Sequence, residues 1–371
     1  MKCVFDSNHP VHVTHPMPVL LIAFLLTSAY CVTRFANLTL LPIFNDEAQY
    51  LHWVLLMNQE ITNMWVSLKA DNNKPLLYWL IALIYKYFED PLLAGRTVSV
   101  VAGYFSMLGL YLIVSRLRSQ LAGVLVCMFY IASPWHMFFN RLVHKASLLN
   151  CFFVWFIWIS VILLQGDKKI SGKYYFLMAG VVGLSLLTES IAILFVFIPL
   201  LFKLVNLKDE TLPGWRTWFL IYLSGLGIGM LPYIYLFSTD ASFQVGNIFV
   251  PKVHGLGNVG TASLFFGIPS TVLRSANDVM DYFVVYLTWP VLLLVVAWFV
   301  MNYRNHNRIS YVMAVFIVLP LIVLIGTAGK GYSRYYLFCS TPIVICGAMG
   351  FADIAEKFGC EKKFGYECAG G

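Results

Sequence analysis

Run after run of roughly 18 or more apolar residues, nearly free of charge, limits what this chain can become more than any other feature. That length carries a helix across ~30 Å of hydrocarbon, where every backbone polar group must be satisfied within its own segment. Helices meet that demand and open loops do not. The 371 residues are 60% hydrophobic and 12% charged, and a soluble domain of this size has too little interior to hide so much apolar surface. The chain therefore reads as a polytopic membrane protein of the all-α class.

Ten spans can be marked, at about 17–36, 94–116, 119–139, 147–165, 173–188, 190–206, 216–237, 282–302, 309–328 and 335–352. A further apolar and aromatic segment, 75–88, is too short to cross and reads as a helix at the membrane surface. Charge sets the orientation. With 75–88 at the surface and the N-terminus cytoplasmic, the inner loops hold Arg116, Arg118, Lys168, Lys169, Lys173, Lys203, Lys208, Arg216, Arg304 and Arg308. With Lys2, Lys357, Lys362 and Lys363 these make 14 of the 25 Lys and Arg. If 75–88 crossed, the basic loops after it would move outside, against the positive-inside rule. Both termini are thus expected inside. The first span is expected to be uncleaved, being too long for a signal-peptide core and lacking a small-residue cleavage site.

Two outer loops are long, 37–93 and 238–281. The second carries Gly246, Gly255, Gly257, Gly260 and Gly267, a pattern that suits a mobile lid and a plain flexible loop equally. The net charge of +7 reflects topology and gives no reason to expect nucleic acid. The eight cysteines form no metal-like or paired spacing and read as packing residues. His9, His12 and His15 recur every third position, but Pro10 and Pro16 prevent a shared helical face.

In this topology the unusual polar residues collect on the outer side. Charged groups at membrane depth or in tight turns are costly and tend to mark function. In FNDEAQYLHW, Asp46 reads as a helix N-cap with Gln49 completing a capping pair, and also as a general base. The two are compatible, because a helix N-terminus holds a carboxylate in place and ionised. Glu47 stands beside it, and Tyr50, Trp53, Val54 and Met57 form the apolar face of a surface helix. In NNKPLLYW, Pro75 suits the first helical position. Lys74 before it opposes the helix dipole, so it reads either as a phosphate ligand at a helix start or as a lysine reaching for lipid headgroups. The loop NRLVHKAS brings together Arg141, His144 and Lys145. Glu189 sits in a tight turn, and GKGYSRYY supplies Lys330, Tyr332 and Arg334. Cations facing two carboxylates suit an anionic phosphate substrate and a nucleophile that must lose a proton. Nothing demands a metal or other cofactor, although Asp46 and Glu47 could hold a cation with a carrier phosphate.

The order of these motifs resembles the GT-C superfamily of integral-membrane glycosyltransferases, with the protein O-mannosyltransferases and the lipid A aminoarabinose transferases as the most similar families. The resemblance rests on DEAQY, KPLLYW, AGRTVSVVAGYFSMLGLYLIVSRL, SPWHMFFNRL, LSLLTES and SRYYLFCSTPIVICGAMGF, and covers about 17–352. It implies a GT-C-type bundle of about ten spans with surface helices in the first outer loop. Residues 1–356 would be the catalytic domain and 357–371 a short cytoplasmic tail. It also implies transfer of a sugar from a polyprenyl- or dolichyl-phosphate donor to a lipid, glycan or protein acceptor on the outer face, with inversion. Asp46, with Glu47 beside it, would be the catalytic base. Lys74, Arg141, Lys145, Lys330 and Arg334 would hold the donor phosphate, with Tyr50, His144, Glu189 and Tyr332 completing the pocket. The membrane would be the plasma membrane, or the endoplasmic reticulum with the site facing the lumen.

Two positions depart from that pattern. Relatives often carry an acid after the SPxHxxxxRL stretch, where this chain has His144 and Lys145, and a lysine in the LLTK-type turn, where it has Glu189. An exchange of acid and base between loops would let Lys145 and Glu189 pair. The alternatives are a transporter or flippase of a lipid-linked or anionic solute, and a catalytically silent family member.

Overall fold

The computed structural model describes residues 16–71, 73–164, 173–195, 215–239, 269–303, 308–326 and 333–358, and among them there is no β-strand. The chain opens with α1 (Pro16–Phe35) and then builds a small helical group before returning to the bundle: α2 (Asn45–Gln59), α3 (Val66–Asp71) and α4 (Leu76–Tyr85). With ten residues, α4 reaches only about 15 Å, half of what a crossing needs. It buries Leu77, Tyr78 and Ile81 against Tyr50, Trp53 and Val54 of α2. This is the apolar face that the spacing in α2 predicts, here turned onto protein.

The main bundle follows as α5 (Pro91–Leu117), α6 (Gln120–Ala132), α7 (Pro134–Asn140), α8 (Lys145–Leu164), α9 (Lys173–Thr188), α10 (Trp215–Thr239), α11 (Pro269–Leu287), α12 (Trp289–Tyr303), α13 (Arg308–Gly326) and α14 (Leu337–Lys357). Among the described residues, four helices are long and apolar enough to cross a bilayer: Pro91–Leu117, Lys145–Leu163, Arg216–Leu236 and Ser333–Lys357. Two bent pairs bring the number to six, and Leu20–Phe35, Lys173–Thr188 and Ile309–Ile325 are shorter apolar helices. Most of the span expected at 190–206 lies outside the described residues, as do most of the glycine-bearing loop, the histidines near the N-terminus and most of the tail.

Two expected spans are not single helices. The third bends by 65° between α6 and α7, and the eighth by 105° between α11 and α12. Helix α11 also begins at Pro269, inside the stretch expected to be loop. Proline causes both breaks. Pro134 and Pro290 lack the N–H that would reach the carbonyl four residues back, and their rings clash with it. At the second break Thr288 adopts φ 68°, an uncommon conformation for a β-branched residue. The two stranded carbonyls find other donors. Arg34 Nη2 of α1 donates to Tyr130 O at 3.4 Å and Ile131 O at 3.0 Å, and Ser133 Oγ lies 3.5 Å from Tyr286 O. The breaks also meet, with the Trp135 ring stacked on Tyr286 at 5.3 Å between centroids.

The last helix is held on two sides. Along α12 the backbones come so close that a Cβ on Gly350 would lie 2.3 Å from Leu294 O. On the other side the buried His136 ring bridges Ser133 Oγ at 2.9 Å and Ser340 Oγ at 3.1 Å, tying α7 to α14. These contacts fix where the start of α14, and so Arg334, stands relative to the 141–144 loop.

Candidate functional site

The site lies where the α2–α4 group meets α8, α9 and the start of α14. Its central carboxylate is Asp46, in the first turn of α2. Arg334 Nη1 bonds Asp46 Oδ2, joining residues 288 apart in sequence. His144 Nε2 stands 3.9 Å from the same oxygen. The His144 tautomer follows from its other nitrogen: Nδ1 accepts the Ala146 N–H at 3.0 Å, so in the neutral ring Nε2 carries the proton. The ring is kept neutral. Burial pushes its pKa well below the usual 6.5, and the Arg334 and Lys145 charges push the same way. A neutral N–H thus faces Asp46 beside the guanidinium.

A second charged group adjoins the first. Lys145 Nζ lies 2.8 Å from Glu189 Oε2 and also donates to Asn73 Oδ1. The pairing suggested by the two departures in sequence is therefore formed. Burial raises the Glu189 pKa, but the Lys145 ammonium, its hydrogen bond and Lys74 outweigh it and leave the carboxyl below its usual range. Lys74 itself donates to Tyr233 OH of α10, and its ammonium also lies 4.3 Å from the centre of that ring. Burial draws the Lys74 pKa down to about 8, against the pull of Glu189 and with some help from Lys145. Tyr50 lies between the two groups, 6.2 Å from the His144 ring and 5.9 Å from Lys145 Nζ. Burial pushes its hydroxyl up to about 12.

Counted formally, Lys74, Lys145 and Arg334 against Asp46 and Glu189 leave +3 − 2 = +1, with His144 neutral. Such a site favours an anion. Lys330 and Tyr332 lie outside the described residues.

Two expected site residues are placed elsewhere. Glu47 is 1% exposed and faces away from the charge cluster, paired with Arg96 at 2.7 Å. Its oxygens accept from Arg96 Nε and Nη2, from the Phe44 N–H at 3.0 Å and from the Val143 N–H at 2.7 Å. Arg96 uses its remaining N–H groups on Leu38 O, Leu41 O and Pro42 O. The pair knots three segments together: the chain before α2, the middle of the bundle through α5, and the 141–144 loop. Glu47 therefore positions its neighbour Asp46 and also supplies the cap of α2. The helix starts with Phe44 as N-cap and Glu47 three residues on, two positions earlier than the Asp46–Gln49 pairing expected from sequence. With both oxygens engaged, Glu47 is not available to share a cation with Asp46. Among the described residues no cluster of three His, Cys, Asp or Glu side chains could hold a metal ion.

Arg141 is the second. Its guanidinium donates to Thr33 O, Ala36 O and Asn37 O at 3.4, 2.8 and 2.9 Å, satisfying the C-terminal carbonyls of α1, where Asn37 turns at φ 51°.

Sequence reasoning assigned no role to Arg96, Asn73, Tyr233 or His136. A charged residue inside an otherwise apolar span was a usable signal for Arg96. Nothing local marks Asn73 or Tyr233, which matter only through partners distant in sequence.

Residues 72–235 match the profile of the family described as dolichyl-phosphate-mannose-protein mannosyltransferase. No curated protein sequence matches the chain. Among solved structures it resembles ArnT from Cupriavidus metallidurans in the apo state, with TM-score 0.68 and 13% identity over 94% of this chain and 62% of that one. ArnT bound to undecaprenyl phosphate gives 0.64 and 13%, over 91% and 61%. The Archaeoglobus fulgidus oligosaccharyltransferase AglB, with an inhibitory peptide and a dolichol-phosphate, gives 0.63 and 11%, over 93% and 51%. The chain thus spans about three-fifths of the length of ArnT and half that of AglB.

Proposed function

We propose that this chain, a multi-pass membrane protein with the GT-C fold, is a glycosyltransferase that takes its sugar from a polyprenyl- or dolichyl-phosphate carrier. The observation that carries the reading is the Asp46 carboxylate held between Arg334 and the neutral His144, next to Lys74 and the Lys145–Glu189 pair. The undecaprenyl phosphate on ArnT and the dolichol-phosphate on AglB support a lipid phosphate as the anion.

Asp46 takes the proton of the acceptor hydroxyl, whose oxygen attacks the anomeric carbon. The carrier phosphate departs with the bonding electrons. A phosphate leaves readily once its growing charge is met by cations, so no protonated acid is needed. Lys74 and Arg334 supply those cations. Retention would require a second carboxylate as nucleophile. Glu47 is engaged by four donors and Glu189 by Lys145, so among the described residues of the site Asp46 has no second uncommitted carboxylate beside it, which supports a single displacement with inversion. The site faces the outside of the cell or the lumen, the side on which the distribution of basic loops puts 37–93. The acceptor is a lipid, glycan or protein hydroxyl.

The test is purified protein in detergent with a panel of polyprenyl-phosphate monosaccharides, following release or transfer of the sugar. One donor should turn over with inverted product, and both Asp46→Asn and Lys74→Ala should lose roughly 10²-fold or more of that rate. A protein that turns over no donor and is stabilised by none refutes the reading. Movement of an intact lipid-linked sugar between leaflets without its cleavage would instead indicate a flippase.

A further inference from the structure

We infer that Arg334 serves both ends of the transfer, holding the base in the resting enzyme and passing to the lipid phosphate as the sugar leaves it. The inference rests on the glycosyltransferase reading and adds to it a coupling between proton removal and leaving-group stabilisation. The geometry is specific. Arg334 and His144 both address Oδ2 of Asp46, and among the described residues nothing bonds Oδ1. Oδ1 is therefore the oxygen left to receive a proton. The Arg334–Asp46 pair is only partly covered, at 23% and 21% exposure.

The charge balance gives the reason. The acceptor O–H bond breaks and its proton goes to Asp46, so that carboxylate passes from −1 to neutral. A bond forms between the acceptor oxygen and the anomeric carbon. The bond from that carbon to the phosphate oxygen breaks, and its electron pair stays on the phosphate, which passes from a monoanionic diester to a dianionic monoester. One negative charge disappears on one side of Arg334 and one appears on the phosphate. A cation held by Asp46 in the ground state, and let go as Asp46 is protonated, interacts more strongly with the transition state than with bound donor. That difference accelerates the chemical step.

The other cations do not share this property. Glu189 takes no part in the transfer, so Lys145 keeps its partner throughout. Lys74 has a phenol as its hydrogen-bond partner and attracts donor and product phosphate alike. Among the three, Arg334 is the cation whose counter-charge the reaction removes.

The experiment uses binding and needs no turnover. A polyprenyl monophosphate, the product-like dianion, is titrated at neutral pH into wild type, Asp46→Asn, Arg334→Gln and the double variant in detergent. Affinity is read by calorimetry or thermal stabilisation. Asp46→Asn mimics the protonated base and should bind roughly fivefold tighter than wild type, the scale of a partly exposed ion pair. That gain should vanish in the Arg334→Gln background and survive in Arg334→Lys, which preserves the charge if Arg334→Gln proves unstable. An equal gain with and without Arg334 would mean simple repulsion between Asp46 and phosphate and would overturn the hand-off. No gain, in a protein whose binding still depends on Lys74, overturns the hand-off and leaves the glycosyltransferase reading standing. Absence of binding in all variants overturns both.

Discussion

Replacing Glu47 by alanine should destabilise the protein by about 3–5 kcal/mol, the range for removing one partner of a buried ion pair. The structure makes this large. Arg96 and Glu47 are 0% and 1% exposed, so neither charge falls back on water. Deletion of the carboxylate strands two of the guanidinium donors and the backbone N–H groups of Phe44 and Val143. Each unsatisfied buried donor alone costs about 1–3 kcal/mol, and partial relaxation keeps the total below their sum. Unfolding by SDS titration in mixed micelles, read by tryptophan fluorescence, provides the assay. Arg96→Met should cost a similar amount. The pair Glu47→Leu with Arg96→Met should be less damaging than the sum of the single changes, because no charge is then left buried alone. A Glu47→Ala protein within 1 kcal/mol of wild type would refute the knot and return Glu47 to the catalytic candidates.

Charge reversal of Lys145→Glu or Glu189→Lys should each reduce donor turnover at least roughly tenfold, since each sets like charges against each other beside the phosphate site. The double reversal should recover most of the loss, and its failure would show that the pair does more than hold two loops together. Affinity for a polyprenyl phosphate should fall as pH rises through about 8, where burial-depressed Lys74 loses its proton. The sign follows because the anion binds the ammonium form and raises its pKa. Lys74→Arg should remove that alkaline limb, as a guanidinium stays charged throughout. Arg141→Met should lower stability by about 1–2 kcal/mol through the lost cap on α1. It should change polyprenyl-phosphate affinity less than twofold, whereas a large affinity loss would restore Arg141 to the phosphate ligands.

Crossing a bilayer is a local property of a chain, written in the length of each apolar run and the charge of the loops between runs. The all-α class, the shortness of α4 and the candidacy of Asp46, Lys74, Lys145, Glu189 and Arg334 could thus be read from residues alone. The two prolines that break the third and eighth spans were equally visible. Their effect was missed because hydropathy averages over the very positions where a helix turns. Which charges meet was not written locally. Asp46 and Glu47 are adjacent in sequence, yet successive helical residues point about 100° apart, so one reaches Arg334 and the other Arg96. Arg141 and Lys145 share one short loop but go to the end of α1 and to Glu189. A charged side chain at membrane depth must find a partner wherever the fold brings one, and only the placing of α5, α8, α9 and the turn before α14 beside the α2–α4 group decides which partner that is.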